Sequence, residues 1–399
     1  MISGSLDLEV GIYEAILIFL TFLVGWVGGR AYQRNSFRVS ERGLPLKEYY
    51  KGINLLLNER PDQAVDVFLK NFEVTRDTVD TYLALGTLFR RRGEASRAIK
   101  IHQYLLAKSD LSRPQQEMIQ LELARDYFHA GLFDRAQGLL NELVELGGRH
   151  RRAALTLLIQ IHEQFKEWAE CEKLGMMLLK AGDETMLTRI AHYMCEVTEQ
   201  LIDEGDIAGA KHKIKLASQY DKRSLRVLLL QSKLHLLTGD ARDALRSIRR
   251  ALSLDTDFFP EVDAMLLQSL TELDQLSEYP VIVIKSLEQS PRVELVEAFG
   301  RWTNEHDGFE SQVDFIQNYI GHYPYWRLFI FLLDQKIKAH PDSRWLVALR
   351  QKIQSLESNL NAFYCENCGF ESQQRLWHCP SCRTWGKIRR VSEQSDAEE

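Results

Sequence analysis

Pairs of small residues twelve positions apart recur through the middle of this 399-residue chain. The pairs are Gly52 and Ala64, Gly86 and Ala98, Ala124 and Ala136, Thr198 and Ala210, and Ser232 and Ala244. In four cases a glycine stands five residues before the second member, at Gly93, Gly131, Gly205 and Gly239. The spacing between corresponding residues is about 34, a period typical of stacked helical hairpins. We therefore predict helix–turn–helix units whose helices touch at the small residues.

This period predicts an all-α solenoid of the tetratricopeptide-repeat type over residues 49–355, with about nine repeats. The pattern is irregular in three places. Residues are inserted near 112–115, Leu157 takes the first small position before Ala169 without a turn glycine, and the repeats degenerate beyond Leu254. Most patterned residues in such a solenoid serve packing. We expect partners to bind in a groove, at positions that the pattern leaves free.

An apolar segment at residues 10–29 precedes the repeats and contains one charge, Glu14, near its outer end. Twenty helical residues span about 30 Å, the thickness of a bilayer core. Four arginines follow this segment, namely Arg30, Arg34, Arg38 and Arg42. No Lys or Arg precedes it, so the positive-inside rule places the N-terminus outside and the bulk of the chain in the cytoplasm. We predict an uncleaved transmembrane anchor at 1–32 and a juxtamembrane linker at 33–48, and Glu14 either snorkels or contacts a membrane partner.

Two Cys-x-x-Cys pairs lie near the C-terminus, Cys365 with Cys368 and Cys379 with Cys382. Two such turns facing each other supply four thiolates, which suit tetrahedral zinc or iron. The gap between the pairs is shorter than the roughly 15–20 residues usual in a zinc ribbon, so we predict a small ribbon or rubredoxin-like clip over residues 362–390. Disulfides are the alternative, and the predicted reducing compartment disfavours them.

A domain of this size cannot build a sufficient core, so the metal must supply most of its folding free energy. The apolar surface of Phe370, Trp377 and Trp385 is larger than such a clip can bury. We therefore expect some of these side chains to pack against the repeats. We also expect the clip to close the array and to support its terminal repeats. The remaining cysteines, Cys171 and Cys195, are predicted to be core residues.

The net charge of −6 excludes a globally basic nucleic-acid binder. Lys387, Arg389 and Arg390 form a short basic cluster that could touch nucleic acid or anionic lipid, but such a cluster is usually a solvated face. Residues 391–399 contain four acids and no base and are predicted to be a disordered tail. No common catalytic motif is present, and four cysteines leave a metal no open position. We predict that the chain is not an enzyme and has no nucleic-acid partner.

The order of anchor, tetratricopeptide repeats and cysteine clip resembles the lipopolysaccharide assembly protein B family of Gram-negative bacteria. The resemblance is carried by Cys365-Glu-Asn-Cys368-Gly-Phe, by Trp377-His-Cys379-Pro-Ser-Cys382-Arg-x-Trp, and by the repeat segments 85–103 and 125–136. It implies a rubredoxin-like domain in which Cys365, Cys368, Cys379 and Cys382 hold one structural metal ion, either iron or zinc.

The resemblance also implies a function and a set of partners. The family consists of inner-membrane adaptors, single-pass and facing the cytoplasm, that restrain lipopolysaccharide synthesis by regulated proteolysis. The implied partners are a membrane-anchored ATP-dependent zinc metalloprotease, the committed-step UDP-3-O-acyl-N-acetylglucosamine deacetylase that it degrades, and an inner-membrane lipopolysaccharide-sensing antagonist. The lipid bilayer is a further partner through the N-terminal helix. A general membrane-tethered scaffold for lipopolysaccharide synthesis or transport enzymes is the alternative.

Overall fold

The computed structural model describes residues 60–71, 78–108, 111–290, 292–322, 326–340, 342–357 and 363–391, with isolated positions at 21, 23–26, 30, 50–52, 54, 55 and 58. The chain divides into two compact units, residues 1–157 and 158–399. Most of the predicted anchor and linker, and the tail beyond residue 391, lie outside the described residues. No helix within the described part of the chain combines the length and the apolar character that a membrane crossing needs.

The first unit contains α1 (Pro61–Asn71), α2 (Val79–Arg91), α3 (Ala95–Leu106), α4 (Arg113–His129) and α5 (Phe133–Leu146). Helix α3 packs against α2 and α4, and α4 packs against α5. A buried ion network joins these helices. The Arg90 guanidinium lies 2.6 Å from Glu122 and 2.7 Å from Asp126, and Asp126 also pairs with the buried His102 ring.

The small residues of the predicted pattern lie at helix contacts in this unit. Ala98, Ala124 and Ala136 have no exposed surface. The ring of His102 lies over Gly86 so closely that a Cβ at this glycine would come within 2.4 Å of His102 Nε2. The prediction that paired helices touch at these positions is therefore confirmed for the first unit.

The insertion predicted near residues 112–115 forms the start of α4. The Ser112 side chain and the Gln115 side chain make a reciprocal capping box, and Pro114 occupies the first turn. This arrangement satisfies backbone N–H groups that a helix start leaves without a partner. The extra residues therefore lengthen the connection without breaking the series of helices.

Helix α6 (Arg151–Gln164) contains the residue at which the second unit begins. The following helices are α7 (Trp168–Lys180), α8 (Met186–Asp203), α9 (Ile207–Tyr220), α10 (Leu225–Leu237), α11 (Ala241–Leu254), α12 (Phe259–Glu272), α13 (Tyr279–Gln289), α14 (Val293–His306), α15 (Phe309–His322), α16 (Trp326–Ala339) and α17 (Arg344–Glu357). Consecutive helices pack in pairs, α8 with α9, α10 with α11, α14 with α15 and α16 with α17. One continuous apolar core extends from Leu228 to Leu328.

The structure corrects the register of one repeat. The sequence pattern assigned the paired positions to Leu157 and Ala169, but Ala169 is exposed. The fully buried residue is Cys171, whose thiol lies 3.9 Å from the carbonyl oxygen of Ile159. Those two residues are twelve apart and restore the spacing of the other repeats. Cys195 is also fully buried, so both free cysteines are core residues as predicted.

Two turns between helices have a non-glycine residue in the left-handed conformation that glycine adopts in the other turns. Gly205 and Gly239 have φ values of +82° and +74°, and Lys166 and Asp274 occupy the equivalent places with φ of +57° and +54°. A left-handed non-glycine residue costs roughly 1–2 kcal/mol. The repeat architecture therefore imposes the turn even where the local sequence disfavours it.

The C-terminal ribbon consists of β1 (Phe363–Cys365), β2 (Glu371–Ser372) and β3 (Ile388–Arg390). The sheet order is β2-β1-β3 and both pairings are antiparallel. A small core of its own contains Phe363 and Ile388, with Phe370 packed against it.

Candidate metal centre

Each Cys-x-x-Cys pair of the ribbon forms a tight turn. In the first turn the Gly369 N–H donates to the Cys365 carbonyl oxygen, and in the second the Arg383 N–H donates to the Cys379 carbonyl oxygen, both at 2.9 Å. Gly369 and Arg383 are both left-handed, with φ of +74° and +58°. The second turn therefore keeps the geometry of the first, although a side chain stands where the first has glycine.

The two turns bring four sulfur atoms together. The Sγ atoms of Cys365 and Cys382 are 3.7 Å apart, as are those of Cys368 and Cys379, and all four lie within 4.8 Å of one another. Four thiolates around one zinc at about 2.3 Å would be separated by about 3.8 Å. The site therefore fits one tetrahedral metal, and four protein ligands make that metal structural.

The surroundings of two of the four thiols shift their pKa values in opposite directions. Hydrogen bonds from the side chains of Thr384 and Asn367 lower the pKa of Cys382 to about 5. Burial raises the pKa of Cys379 to about 11. A bound metal ion would favour the thiolate form of its cysteine ligands, because the thiolate is the form that binds metal.

One aromatic side chain of the ribbon, Trp385, is almost fully inserted into the repeats, with 6% of its surface exposed. Its indole N–H donates to Glu163 Oε1 at 3.0 Å. The rings of Trp168 and Tyr193 meet it edge to face at 5.7 and 5.6 Å, and His192 stacks on it at 5.2 Å. This side chain is the central contact between the ribbon and the helices.

The carboxylate that receives Trp385 is itself held by the repeats. Glu163 lies 3.0 Å from an Arg189 guanidinium nitrogen and accepts a 2.6 Å hydrogen bond from the Tyr193 hydroxyl. Burial opposes ionisation of Glu163, but Arg189 and the hydrogen bonds outweigh it and hold the pKa of this carboxyl below its usual range. The indole therefore meets a buried, ionised and pre-positioned acceptor.

Two histidines stack on Trp385 and belong to different parts of the chain. His192 is buried on α8, and burial together with Arg226 lowers its pKa to about 3, so the ring is neutral. His378 of the ribbon stacks on Trp385 at 4.4 Å and lies outside the group of four clustered thiols. The backbone of Gly386 comes so close that a Cβ there would lie 2.9 Å from His192 Nε2.

A second ribbon aromatic, Trp377, lies beside a buried arginine. The Arg226 guanidinium is 5.8 Å from the centre of the Trp377 ring, and Phe258 packs at 6.1 Å. Arg226 is 2% exposed and is paired with Glu196 and Glu199, each at 2.8 Å. Two carboxylates of α8 therefore balance the charge of Arg226, and the same guanidinium contacts the Trp377 ring of the ribbon.

Ion pairs fix the other edge of the ribbon. Arg375 contacts Glu261 at 2.5 Å, and Arg390 contacts Glu294 at 2.5 Å and Glu261 at 3.8 Å. Arg390 also lies 4.8 Å from the centre of the Phe363 ring. Burial raises the pKa of Glu261 more than the two arginines lower it.

The basic cluster noted in the sequence is therefore engaged within the chain. Lys387 and Arg389 both face Glu366, at 3.7 and 3.1 Å, while Arg390 pairs with the repeats. These pairings explain the cluster as part of the ribbon fold and of its contact with the helices.

The position of the ribbon corrects one expectation. Its hydrogen bonds, ion pairs and ring contacts with the described helices reach residues between Glu163 and Glu294. Those residues lie mainly on α6, α8, α10, α12 and α14, the first helices of successive pairs. The ribbon therefore packs along the face of the central repeats and does not close the array at its last hairpin. The predicted packing of Trp377 and Trp385 on the repeats is confirmed, whereas Phe370 lies in the ribbon's own core.

The sequence analysis missed the receiving residues on the repeats. These are Glu163, His192, Arg226, Glu261 and Glu294. One signal was available, because Arg226 interrupts the apolar run Leu225-Arg-Val-Leu-Leu-Leu and Glu294 interrupts Val293-Glu-Leu-Val. A charge at a position that helical periodicity makes inward-facing requires a buried partner.

Comparisons with known proteins agree with this architecture. Residues 363–389 match the rubredoxin metal binding domain family. Lipopolysaccharide assembly protein B of Escherichia coli strain K12 is 30% identical over 383 residues, which cover 94% of this chain and 98% of that protein. The protein of the same name from Haemophilus influenzae is 27% identical over 391 residues, covering 95% and 98%.

Among solved structures, one of MamA from AMB-1 is 17% identical and covers 45% of this chain and 93% of that chain. The TM-score between the two structures is 0.32. The relation that decides the family extends over nearly the whole length of both proteins, repeats and ribbon included. This chain belongs to the lipopolysaccharide assembly protein B family.

Proposed function

We propose that this protein is an adaptor tethered to the cytoplasmic side of the inner membrane that limits lipopolysaccharide synthesis. In this proposal it presents the UDP-3-O-acyl-N-acetylglucosamine deacetylase to a membrane-anchored ATP-dependent zinc metalloprotease, which degrades it. An inner-membrane protein that senses lipopolysaccharide would antagonise this step. The observation that carries the proposal is the near full-length relation to proteins named for lipopolysaccharide assembly.

The chemistry of the described residues supports an adaptor. The metal site has four protein ligands and no open position, so it supplies neither an activated water nor a Lewis acid. The other main feature of the described residues is a large surface formed by the helical hairpins and the ribbon packed on them. Such surfaces bind other proteins, and tethering a binding surface to a membrane raises its effective concentration for membrane partners.

The docked ribbon changes where a partner can bind. The ribbon of the same chain covers the face of the central repeats between Glu163 and Glu294. A partner would therefore meet a combined surface of ribbon and helices, or the helices of the first unit. In this proposal the ribbon contributes binding surface and no chemistry.

The membrane location is part of the proposal. It is supported by the apolar residues 10–29 and by the arginines that follow them. Alkaline extraction of membranes should leave the full chain in the pellet, and protease added to spheroplasts should spare the repeats. Release of the chain by alkali would contradict the anchor.

The test of the function is the half-life of the deacetylase in cells with this protein present, absent, or carrying Cys379→Ser. We expect loss of the protein and loss of the metal site to lengthen the half-life similarly. The protease and the deacetylase should also co-purify with the wild-type chain. An unchanged half-life in both strains would contradict the proposal.

The alternative is a general scaffold that organises lipopolysaccharide synthesis or transport enzymes, and the word assembly in the names of the relatives favours it. A scaffold predicts altered lipopolysaccharide levels with an unchanged deacetylase half-life. It also predicts co-purification of several synthesis enzymes without the protease. The same strains therefore separate the two functions.

A further inference from the structure

The last hairpin of the repeats carries large apolar side chains on an exposed face. Trp345 and Leu349 stand one turn apart on α17 and are 66% and 42% exposed. Leu346 is buried, so the helix has a separate inner face, and that face packs against α16. The exposed pair is therefore additional to the core and marks a contact surface.

Basic residues stand at the same end of this hairpin. Lys336 and Lys338 are exposed in the last turn of α16, and Arg344 is exposed in the first turn of α17. Residues 340–343 join the two turns, so all three basic residues lie within nine positions of Trp345 in the sequence. The single acid of α16, Asp334, is paired with Arg350. One exposed acid, Asp342, lies in the connection, so the three basic residues still leave this end of the hairpin positive.

We propose that this end of the hairpin, with the basic residues Lys336, Lys338 and Arg344 and the exposed pair Trp345 and Leu349, rests on the headgroup region of an anionic lipid bilayer. Tryptophan prefers the boundary between water and hydrocarbon, and lysine and arginine are attracted to anionic headgroups. A face that combines Trp and Leu with flanking basic residues is typical of helices that lie at a membrane surface.

Charge and composition argue against the other occupants of this face. The acidic residues 392–399 contain no large apolar side chain that could cover Trp345. Residues 358–362 contain only one, Leu360. A second copy of the chain would bring the same basic residues to the contact, and like charges would oppose the pairing.

This inference deepens the proposed function, since a chain tethered to the inner membrane meets an anionic surface wherever it functions. It concerns a second point of contact, far along the sequence from residues 10–29. Its test requires neither the deacetylase nor the protease. A negative result would therefore leave the adaptor proposal standing, and a failed half-life experiment would leave this inference untouched.

The experiment uses the full chain in lipid nanodiscs whose lipids carry bromine atoms, which quench nearby tryptophan. Wild type and Trp345→Phe are compared in discs of phosphatidylcholine alone and in an equimolar mixture with phosphatidylglycerol. The difference between the two proteins isolates Trp345, since every other tryptophan is common to both. We expect the wild type to be quenched more than Trp345→Phe in the anionic discs, and this difference to shrink in the neutral discs.

A charge variant and its matched control complete the test. Lys336→Glu with Lys338→Glu should abolish the quenching difference that Trp345 contributes. Lys211→Glu with Lys215→Glu, which reverses two exposed charges on α9, should preserve it. Equal quenching of wild type and Trp345→Phe in anionic discs would overturn the inference. So would a doubled mass in detergent that Trp345→Asp reduces to one copy, because the face would then be an interface between chains.

Discussion

The indole N–H of Trp385 donates to the carboxylate of Glu163 at 3.0 Å across 222 residues of sequence. This hydrogen bond joins the metal-binding ribbon to the end of α6, which lies at the start of the second unit. Both partners are buried, and the acceptor is held ionised by Arg189. The ribbon, which is too small for a sufficient core, thereby gains a second source of stability besides its metal.

We predict that Glu163→Gln weakens this attachment. The indole would then donate to a neutral amide instead of a carboxylate, which weakens this hydrogen bond by about 1 kcal/mol. Transfer of zinc from the zinc-loaded protein to a chromogenic chelator should become about five times faster, because 1.4 kcal/mol corresponds to a factor of ten. Glu167→Gln removes an exposed acid paired with His162 and is the control, with an expected change of less than about twofold. Equal release rates for the two variants would contradict the role of Glu163.

Gly386→Ala should loosen the ribbon through two effects. The residue has φ of +64°, and its new Cβ would lie 2.9 Å from His192 Nε2. Gly369→Ala is the matched control, because it has a similar φ of +74° but open space around it. We expect Gly386→Ala to lower the melting temperature more than Gly369→Ala, and His192→Ala to rescue only the former. Equal effects of the two glycine substitutions would show that the close approach to His192 is unimportant.

The free energy of unfolding should decrease as the pH is lowered, because His192 is buried in its neutral form. Its pKa is about 3 in the folded chain and close to 6.5 when unfolded. Between these values the unfolded state binds the extra proton, so folding loses up to about 1.4 kcal/mol per pH unit as the pH falls below 6.5. In His192→Phe the midpoint of chemical unfolding should change less between pH 6.5 and 5 than in wild type. An identical slope in both proteins would contradict this assignment.

The left-handed turn at Lys166 offers a stabilising change. Lys166→Gly should raise the free energy of unfolding by about 1 kcal/mol, because glycine adopts φ of +57° without steric cost. Asp274→Gly should gain less, since aspartate tolerates this conformation better than lysine does. Thermal unfolding of the two variants measures the difference. A lower melting temperature for Lys166→Gly would contradict the strain at this turn.

The repeats and the metal site follow from short-range sequence signals. The twelve-residue spacing placed Ala98, Ala124 and Ala136 at helix contacts, and the cysteine spacing identified the four clustered thiols. Both signals arise from local geometry, in the rise of a helix and the width of a tight turn. The register failed at Ala169 because Cys171 acts as the small residue there and Lys166 replaces the turn glycine.

The docking of the ribbon could not be predicted from the same signals. Trp385 and Glu163 form one contact, yet neither position has a periodicity that points to the other. The excess aromatic surface of the ribbon indicated only that it must pack somewhere on the repeats. Which helices receive it depends on buried charges such as Arg226 and Glu294, whose partners lie far away in sequence.

The dependence of this arrangement on the metal can be measured by hydrogen exchange on the full chain, comparing wild type with Cys379→Ser. Without the metal the ribbon should unfold and expose the face that it covers. We predict faster exchange in 363–391 and in the covered helices α8, α10 and α12, with α2–α5 and α16–α17 unchanged. Faster exchange confined to the ribbon, or loss of protection in α16–α17 alone, would contradict a metal-dependent ribbon packed on the central repeats.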